Sequence, residues 1–301
     1  MEGFEVQNKS QNIHSANNKI LKEQIIKKAF WFHSKGDTNG ASKYYQLFIN
    51  EGFKDERVLS NYGIILKDCG KLKEAELITR QAIKLNPNMA SAYNNLGIIL
   101  KDCGKLKEAE STIRKAIKLN PSRANAYNTL GSILKDLGKL KEAESSTREA
   151  IKRDPNLANA HFNLGNIFKD FGKLYDAELA TRKAIKLDPD MANAHANLGD
   201  ILHNLGKLNE AESSTLKAIS LNSEHSQAYY NMGVISLGLN NLENAMASLE
   251  KSLELKMDYD KCILAIGNVL LRQGKYVEGL KRIKDGEGVI NFHLENGMSI
   301  N

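Results

Sequence analysis

Asparagine recurs at a regular interval through much of the chain. Five asparagines, separated by 34 or 68 residues, form a set that we call the inner row: Asn61, Asn95, Asn163, Asn197 and Asn231. Three more, the outer row, lie four residues before inner-row positions: Asn125, Asn159 and Asn193. A carboxamide both donates and accepts hydrogen bonds, so regularly spaced asparagines can bind the backbone of an extended peptide without selecting its side chains. These rows predict peptide binding, and the alternative interpretation is that the asparagines help the repeated element to fold.

Lysine follows the same interval. The four residues of this set lie six positions after the inner-row positions: Lys67, Lys101, Lys135 and Lys169. Each is followed directly by an aspartate, at 68, 102, 136 and 170. Because every lysine has a counter-charge beside it, the set is a weak candidate for an anion site. We include it in the candidate peptide-binding groove together with the two asparagine rows.

Catalytic chemistry has no comparable signal in the sequence. There is no glycine-rich phosphate loop, zinc signature or nucleophile elbow. His161 and His195 occupy an aromatic position of the repeated pattern described below, and no other histidine, cysteine or carboxylate completes a ligand set around them. We therefore expect no enzyme activity, no catalytic residue, no metal site and no cofactor.

The rows imply a repeated structural element, and the rest of the sequence contains one. Pro87, Pro121, Pro155 and Pro189 are each 34 residues apart, and two glycine series and an alanine series keep the same spacing. The stretch GIILKDCGKLKEAE occurs at 63–76 and again, unchanged, at 97–110. Duplication of a 34-residue unit is the simplest origin.

Each unit reads as a helical hairpin, as 90–123 illustrates. Apolar residues from Ala92 to Cys103 recur at the three-and-four spacing of an amphipathic helix, and Gly104 ends this helix. A second amphipathic helix follows, and Pro121 prevents it from continuing. Four glutamate–arginine pairs at i,i+4 recur on this second helix, and we interpret them as solvated surface pairs: Glu76–Arg80, Glu110–Arg114, Glu144–Arg148 and Glu178–Arg182.

This pattern resembles the tetratricopeptide repeat family, whose 34-residue unit carries an aromatic residue, Leu-Gly, a second glycine, two alanines and a proline at set positions. In 90–123 these are Tyr93, Leu96-Gly97, Gly104, Ala109, Ala116 and Pro121. The resemblance implies an all-α fold, a right-handed α-solenoid of tandem helix–turn–helix units. The register gives eight units over 22–293: 22–55, 56–89, 90–123, 124–157, 158–191, 192–225, 226–259 and 260–293, of which the first and last are degenerate caps.

The two ends of the chain depart from the repeat. Residues 1–21 have no periodic apolar face, and we expect them to be disordered. Residues 294–301 form a tail that could pair with 288–293 as a short hairpin. A structural cap is the simplest interpretation of this tail, since solenoids need capped ends.

Composition narrows the setting. Of the 301 residues, 42% are hydrophobic and 26% are charged, which is typical of a globular protein. Three cysteines are too few for a disulfide framework, the first 18 residues contain no apolar signal segment, and no run of 18 apolar residues occurs. These features favour the cytoplasm and exclude a membrane-spanning segment. The net charge of +6 is unevenly distributed: units through residue 157 carry +9, whereas 192–259 carries −4.

Three functions are compatible with these features. The first is a protein-interaction scaffold whose concave groove binds an extended segment of a partner. The second is a substrate-recruiting or regulatory module for a separate glycosyltransferase or sulfotransferase, because the asparagine rows also resemble those of repeat arrays in O-linked N-acetylglucosamine transferases. RNA binding is disfavoured, since it needs stacking aromatics or arginines repeated along the groove, where only Phe162 and Tyr230 are found.

Overall fold

The protein was analysed as a computed structural model, which describes residues 2–287, 290–293 and 297–300, with side chains over 18–286. The chain divides into two compact units, Met1–Arg153 and Asp154–Asn301. Each unit consists of antiparallel helix pairs joined by short turns, and in each pair the two helices contact each other along their length. Each unit is thus a series of helical hairpins, as predicted, and two short strands follow the last hairpin.

Unit 1 contains four hairpins. Its helices are α1 (Glu2–Ser34), α2 (Thr38–Asn50), α3 (Glu56–Asp68), α4 (Leu72–Leu85), α5 (Ala90–Asp102), α6 (Leu106–Leu119), α7 (Ala124–Asp136) and α8 (Leu140–Arg153). From α3 onward, each first helix begins at or within one residue of where the 34-residue register predicts it.

Unit 2 contains four more hairpins and two short strands. Its elements are α9 (Ala158–Asp170), α10 (Leu174–Leu187), α11 (Ala192–Asn204), α12 (Leu208–Leu221), α13 (Ser226–Gly238), α14 (Leu242–Glu254), α15 (Tyr259–Arg272), α16 (Tyr276–Glu287), β1 (Ile290–His293) and β2 (Gly297–Ile300). The strands pair antiparallel, with Ile290 opposite Ile300 and His293 opposite Gly297. This is the segment for which the sequence analysis considers a hairpin; its connecting residues lie outside the described residues.

Small residues let the two helices of a hairpin approach closely. In α11 and α12, Gly199 faces Thr215, whose buried hydroxyl donates to the carbonyl of Ala211 at 2.8 Å. A Cβ on Gly199 would clash with Thr215 Oγ1 and lie 3.3 Å from the Ala211 carbonyl oxygen. Thr79 occupies the equivalent position opposite Gly63 and is also fully buried. The threonines of the second helices are therefore part of the helix-crossing contact.

The turn within each hairpin depends on a left-handed residue. Gly104 has φ +74°, and its neighbour Lys105 donates its backbone N–H to the Leu100 carbonyl at 2.9 Å, which closes the end of α5. In the hairpin of α13 and α14, Asn240 takes this position with φ 61°. Asparagine tolerates this conformation better than most residues, so the turn persists where the glycine series is interrupted.

The N-terminal segment differs from the expectation of disorder over 1–21. The backbone of α1 is helical from Glu2, although the first predicted repeat begins only at residue 22. Ile25 and Ala29 anchor the second half of α1 in the core with α2, and no proline occurs before Pro87. Once this half is formed, adding residues to the helix costs little, because nucleation is the unfavourable step.

The glutamate–arginine pairs are also more than the solvated pairs expected. Glu76 accepts from Arg80 at 2.9 Å within α4 and from Lys105, in the next hairpin, at 2.8 Å. Arg80 in turn donates to Glu108, also in the next hairpin, at 2.5 Å. Glu110 makes the equivalent contacts with Arg114 and Lys139, and in unit 2 Glu178 makes them with Arg182 and Lys207. Three of the four predicted pairs therefore join successive hairpins, and the fourth, Glu144–Arg148, makes its 2.9 Å contact within α8.

Candidate peptide-binding site

The predicted lysines form ion pairs with aspartates of the protein itself. In unit 1, Lys67 lies 2.7 Å from Asp68 and 3.8 Å from Asp102, so it bridges α3 and α5. Lys101 pairs with Asp136 at 3.5 Å. The other two members do the same: Lys135 contacts Asp136 at 3.2 Å in unit 1, and Lys169 contacts Asp200 at 2.7 Å in unit 2. Because their charges are neutralised within the protein, these lysines do not form an open anion site.

The inner-row asparagines are largely engaged inside the protein. Asn95 Nδ2 donates to Ser60 Oγ at 3.0 Å, and so ties α5 to α3. In unit 2, Asn231 Nδ2 donates to the Ala196 carbonyl at 2.9 Å and its Oδ1 accepts from Gln227. Asn197 is buried and donates to Thr181 Oγ1 at 3.5 Å. Asn95 and Asn231 therefore join successive first helices, whereas Asn197 joins α11 to the second helix α10.

The first and third members of the inner row are both half-buried: Asn61 and Asn163. A hydrogen bond links the Asn61 side chain to the phenol of Tyr45. Burial raises the pKa of Tyr45 to about 12, and the bond to Asn61 opposes that shift. Tyr45 Oη also lies 2.8 Å from His33 Nδ1, so Asn61 belongs to a polar cluster in the first hairpins.

The outer-row asparagines, by contrast, are exposed. Asn125 lies in the first turn of α7 in unit 1, and Asn159 and Asn193 lie in the first turns of α9 and α11 in unit 2. Their carboxamides are accessible to a partner. The structure thus separates the two rows, which the sequence presents as equivalent, into an internal row and an accessible one.

One polar recess in unit 2 brings several predicted residues together. It has a volume of about 450 Å³ and lies between the first helices α9, α11, α13 and α15. Four predicted residues line it: Lys169, Asn193, Asn197 and Asn231. Asn159 and Asn163, also in unit 2, do not. The remaining six belong to unit 1: Asn61, Asn95, Asn125, Lys67, Lys101 and Lys135.

The recess also contains residues absent from the predicted site. Gln227 and Lys261 continue the outer row by one and two further periods of 34, so extending the row past its asparagines would have found them. His225 precedes α13 in a turn, where no periodic signal marks it. Its Nε2 is buried without a hydrogen-bond partner in the described residues, and burial lowers the pKa of this imidazole. Burial thus favours the uncharged form of this side chain.

Two other classes of site have no counterpart in the described residues. No group of three histidine, cysteine, aspartate or glutamate side chains there could hold a metal ion. Over the same residues, no helix combines the length and apolar character that crossing a bilayer requires.

The hairpin geometry and its sequence register match models of one family. Tetratricopeptide repeat models match 56–89, 90–123, 124–157, 158–191, 180–213 and 226–259, which together make up more than half of the chain. The chain belongs to the tetratricopeptide repeat family. Such repeats generally form protein-interaction scaffolds, and this general role applies to the present tetratricopeptide repeat protein.

Solved tetratricopeptide repeat structures share the fold at low sequence identity. A repeat protein from Parabacteroides merdae is 18% identical with a TM-score of 0.63, and the match covers 83% of this chain and 98% of that one. The Cut9–Hcn1 hetero-tetramer of the APC/C is 17% identical with a TM-score of 0.75, and the match covers 88% of this chain and 52% of that one. Pseudomonas aeruginosa PilF is 19% identical with a TM-score of 0.57, and the match covers 64% of this chain and 88% of that one. No curated protein matches the sequence.

Proposed function

We propose that this protein is an interaction scaffold that binds an extended segment of a partner protein across the first helices of its hairpins. The observation that carries the proposal is the recess in unit 2. There, Asn193 of the outer row lies beside Asn197 and Asn231 of the inner row, together with Gln227 and Lys261, which continue the outer row. Carboxamides on successive first helices offer donors and acceptors to a peptide backbone. The sequence-level alternative, recruitment for a separate transferase, would use the same face.

The recess offers both fixed and free polar groups. Asn197 and Asn231 donate hydrogen bonds to Thr181 and to the Ala196 carbonyl, so their positions in the recess are fixed by the fold. Asn193 and Gln227 stand at its exposed edge, and the unpartnered Nε2 of His225 lies at its wall. A bound backbone would complete the hydrogen bonding of the His225 imidazole, whose burial without a partner is unfavourable in the free protein.

The test is selection of peptides from a displayed library of random dodecamers on the immobilised full chain. The selected peptides are then measured on an Asn159→Ala/Asn193→Ala variant by fluorescence polarisation. Each lost hydrogen bond is worth about 1 kcal/mol, so binding should weaken by roughly tenfold or more. Asn209→Ala, an exposed asparagine of the second helix α12, is the matched control and should bind within twofold of the wild type.

The proposal fails if no peptide is enriched, or if the double variant binds the selected peptides as tightly as the wild type. Replacing inner-row residues instead would confuse the result, because Asn95 and Asn231 also join helices of the fold. Far-ultraviolet circular dichroism of each variant verifies that helicity is unchanged.

A further inference from the structure

A second recess, in unit 1, has a different character. It has a volume of about 370 Å³ and lies at the end of α2, the start of α3 and the end of α4. Its walls are the apolar side chains of Ile49, Phe53, Leu59 and Leu85, with Gly52, Lys54, Gln81 and Lys84 completing it. This volume and this mostly apolar lining are typical of small-molecule sites.

The recess lies at a repeat that departs from the pattern at its aromatic position. Leu59 stands where the following five repeats carry a ring: Tyr93, Tyr127, His161, His195 and Tyr229. The equivalent recess farther along unit 1 is lined by Tyr127, and there the Arg153 guanidinium lies 3.8 Å from the ring centroid and donates to the phenol at 2.9 Å. Leu59 has no ring and no polar atom to engage such a group.

The equivalent recesses are also more polar. The recess at Tyr127 is lined by Arg114 and Glu149, and the one at His195, in unit 2, by Arg182 and Glu210. None of the eight residues lining the Leu59 recess is acidic. Its charged groups are Lys54 and Lys84, both exposed, and neither contacts a carboxylate among the described residues.

A third lysine reinforces this charge. Lys22 of α1 donates from Nζ to the carbonyl of Lys54 at 2.9 Å and lies 5.9 Å from the ring centroid of Phe48. Four acidic residues lie close to Lys22 and Lys54 along the chain, but none of them lines the recess: Glu23, Glu51, Asp55 and Glu56. Asp55 is already bound to Arg57 at 2.8 Å. The lining of the apolar recess therefore carries two lysines and no carboxylate.

We propose that this recess binds a small apolar anion, either an aromatic or a medium-chain carboxylic acid. The ring or alkyl chain would lie against Ile49, Phe53 and Leu59, where it is removed from water, and the carboxylate would lie between Lys54 and Lys84 at the rim. Apolar burial supplies affinity, and charge complementarity selects the anion over a neutral ligand of the same shape. This site is separate from the peptide-binding recess of unit 2 and does not depend on that proposal.

The test measures octanoate and 1-octanol, which share an alkyl chain and differ in charge, by displacement of anilinonaphthalene sulfonate fluorescence from the full chain. Leu59→Tyr introduces the larger, hydroxyl-bearing residue of the neighbouring repeats into this apolar wall and takes up part of the cavity, so both ligands should bind at least tenfold more weakly. Lys54→Glu/Lys84→Glu should weaken octanoate at least tenfold and change 1-octanol by less than threefold. Lys118→Glu, the equivalent of Lys84 one repeat later, should change neither.

Thermal melts show whether each variant is folded. The proposal is overturned if folded Leu59→Tyr binds octanoate as the wild type does, or if the lysine variant weakens both ligands equally or neither. If Leu59→Tyr does not fold, the difference between octanoate and 1-octanol in the lysine variant decides the matter.

Discussion

At the scale of single residues, the tightest requirement lies where the two helices of a hairpin cross. Gly199 leaves room for the buried hydroxyl of Thr215, which is bound to the Ala211 carbonyl at 2.8 Å. The same glycine–threonine contact recurs at Gly63 with Thr79, Gly131 with Thr147 and Gly165 with Thr181. At Gly97 the neighbour is the flexible end of Ile113 instead. The glycine series therefore reflects a steric limit set by its partner.

This contact predicts a coupling that double mutants can measure. Gly199→Ala should lower the free energy of unfolding by about 1–3 kcal/mol, because its methyl group overlaps Thr215 Oγ1. The cost of this overlap exceeds the gain in helix propensity from glycine to alanine. Adding Thr215→Ala removes the overlapping atom, so the double variant should be more stable than Gly199→Ala alone. Urea unfolding of all four proteins measures the coupling, and strictly additive effects would refute the steric account.

Tyr45 gives a prediction about alkaline pH. Burial raises its pKa to about 12 in the folded protein, above the ordinary value of 10. Folding thus favours the protonated phenol, and the stabilisation is complete below pH 10 and is lost as pH rises towards 12. In a titration of tyrosinate absorbance at 295 nm, Tyr45→Phe should remove a step near pH 12, and this step should persist in the control Tyr276→Phe, which replaces an exposed tyrosine. An unchanged final step in Tyr45→Phe would contradict this.

How far the sequence predicts a residue's role depends on where its partner lies. The interval of 34 places the asparagine rows on the first helices, and spacing alone identifies both rows. It cannot show that Asn95 reaches Ser60 or that Asn231 reaches the Ala196 carbonyl, because each partner is 35 residues away and contacts it only after the hairpins stack. His225 could not be predicted from these series, because it lies in a turn and belongs neither to the asparagine rows nor to the lysine set.

At the scale of helices, charged side chains link one hairpin to the next. Glu76 is only 16% exposed, and Lys105 and Arg80 hold its pKa below its usual value. Lys139 and Arg114 do the same for Glu110. Burial alone would raise the pKa of Glu178, but the hydrogen bonds from Lys207 and Arg182 outweigh it and lower that pKa. The i,i+4 spacing predicts the pair within a helix, whereas the second cation becomes visible only in the stacked repeats.

These bridges predict how stability depends on pH. Because the pKa of Glu110 is lowered in the folded protein, its stabilising contribution is present above pH 4.5 and is lost as pH falls through the folded pKa. In urea unfolding at pH 7, Glu110→Gln should therefore lower the free energy of unfolding by up to about 1 kcal/mol. This difference from the wild type should shrink towards pH 3. Glu243→Gln, an exposed glutamate of α14, serves as the control and should have no such effect. A difference that persists at pH 3 would rule out the ionic origin.

The first helix shows where element prediction from periodicity ends. An amphipathic stripe marks a helix only where the helix has a surface to cover. Ile25 and Ala29 supply that stripe in the second half of α1, but the residues before 22 lack it, and so the sequence predicts disorder there. Helix propagation from an anchored segment needs no stripe, only the absence of residues that stop it.

At the scale of the whole molecule, charge divides in the same way as the chain. Met1–Arg153 carries a formal charge of +10 and Asp154–Asn301 carries −4, which together give the net +6. The cationic recess at Leu59 belongs to the basic unit, and the asparagine-rich recess belongs to the acidic one. Both candidate sites lie within the series of 34-residue repeats, and the modularity of these repeats can itself be tested.

Removal of one repeat tests whether the array is modular. Deleting 90–123 joins Met89 to Ala124 and keeps the register, and Arg80 would then meet Glu142 where it now meets Glu108, while Glu76 would meet Lys139 in place of Lys105. We expect the shortened chain to keep its helicity per residue and unfold cooperatively, with a urea m-value about a tenth lower. Deleting only 90–106 places α6 directly after α4, so that two second helices follow each other with no first helix between them, and should abolish cooperative unfolding. Equal behaviour of the two deletions in circular dichroism would mean that the 34-residue unit is not the unit of stability.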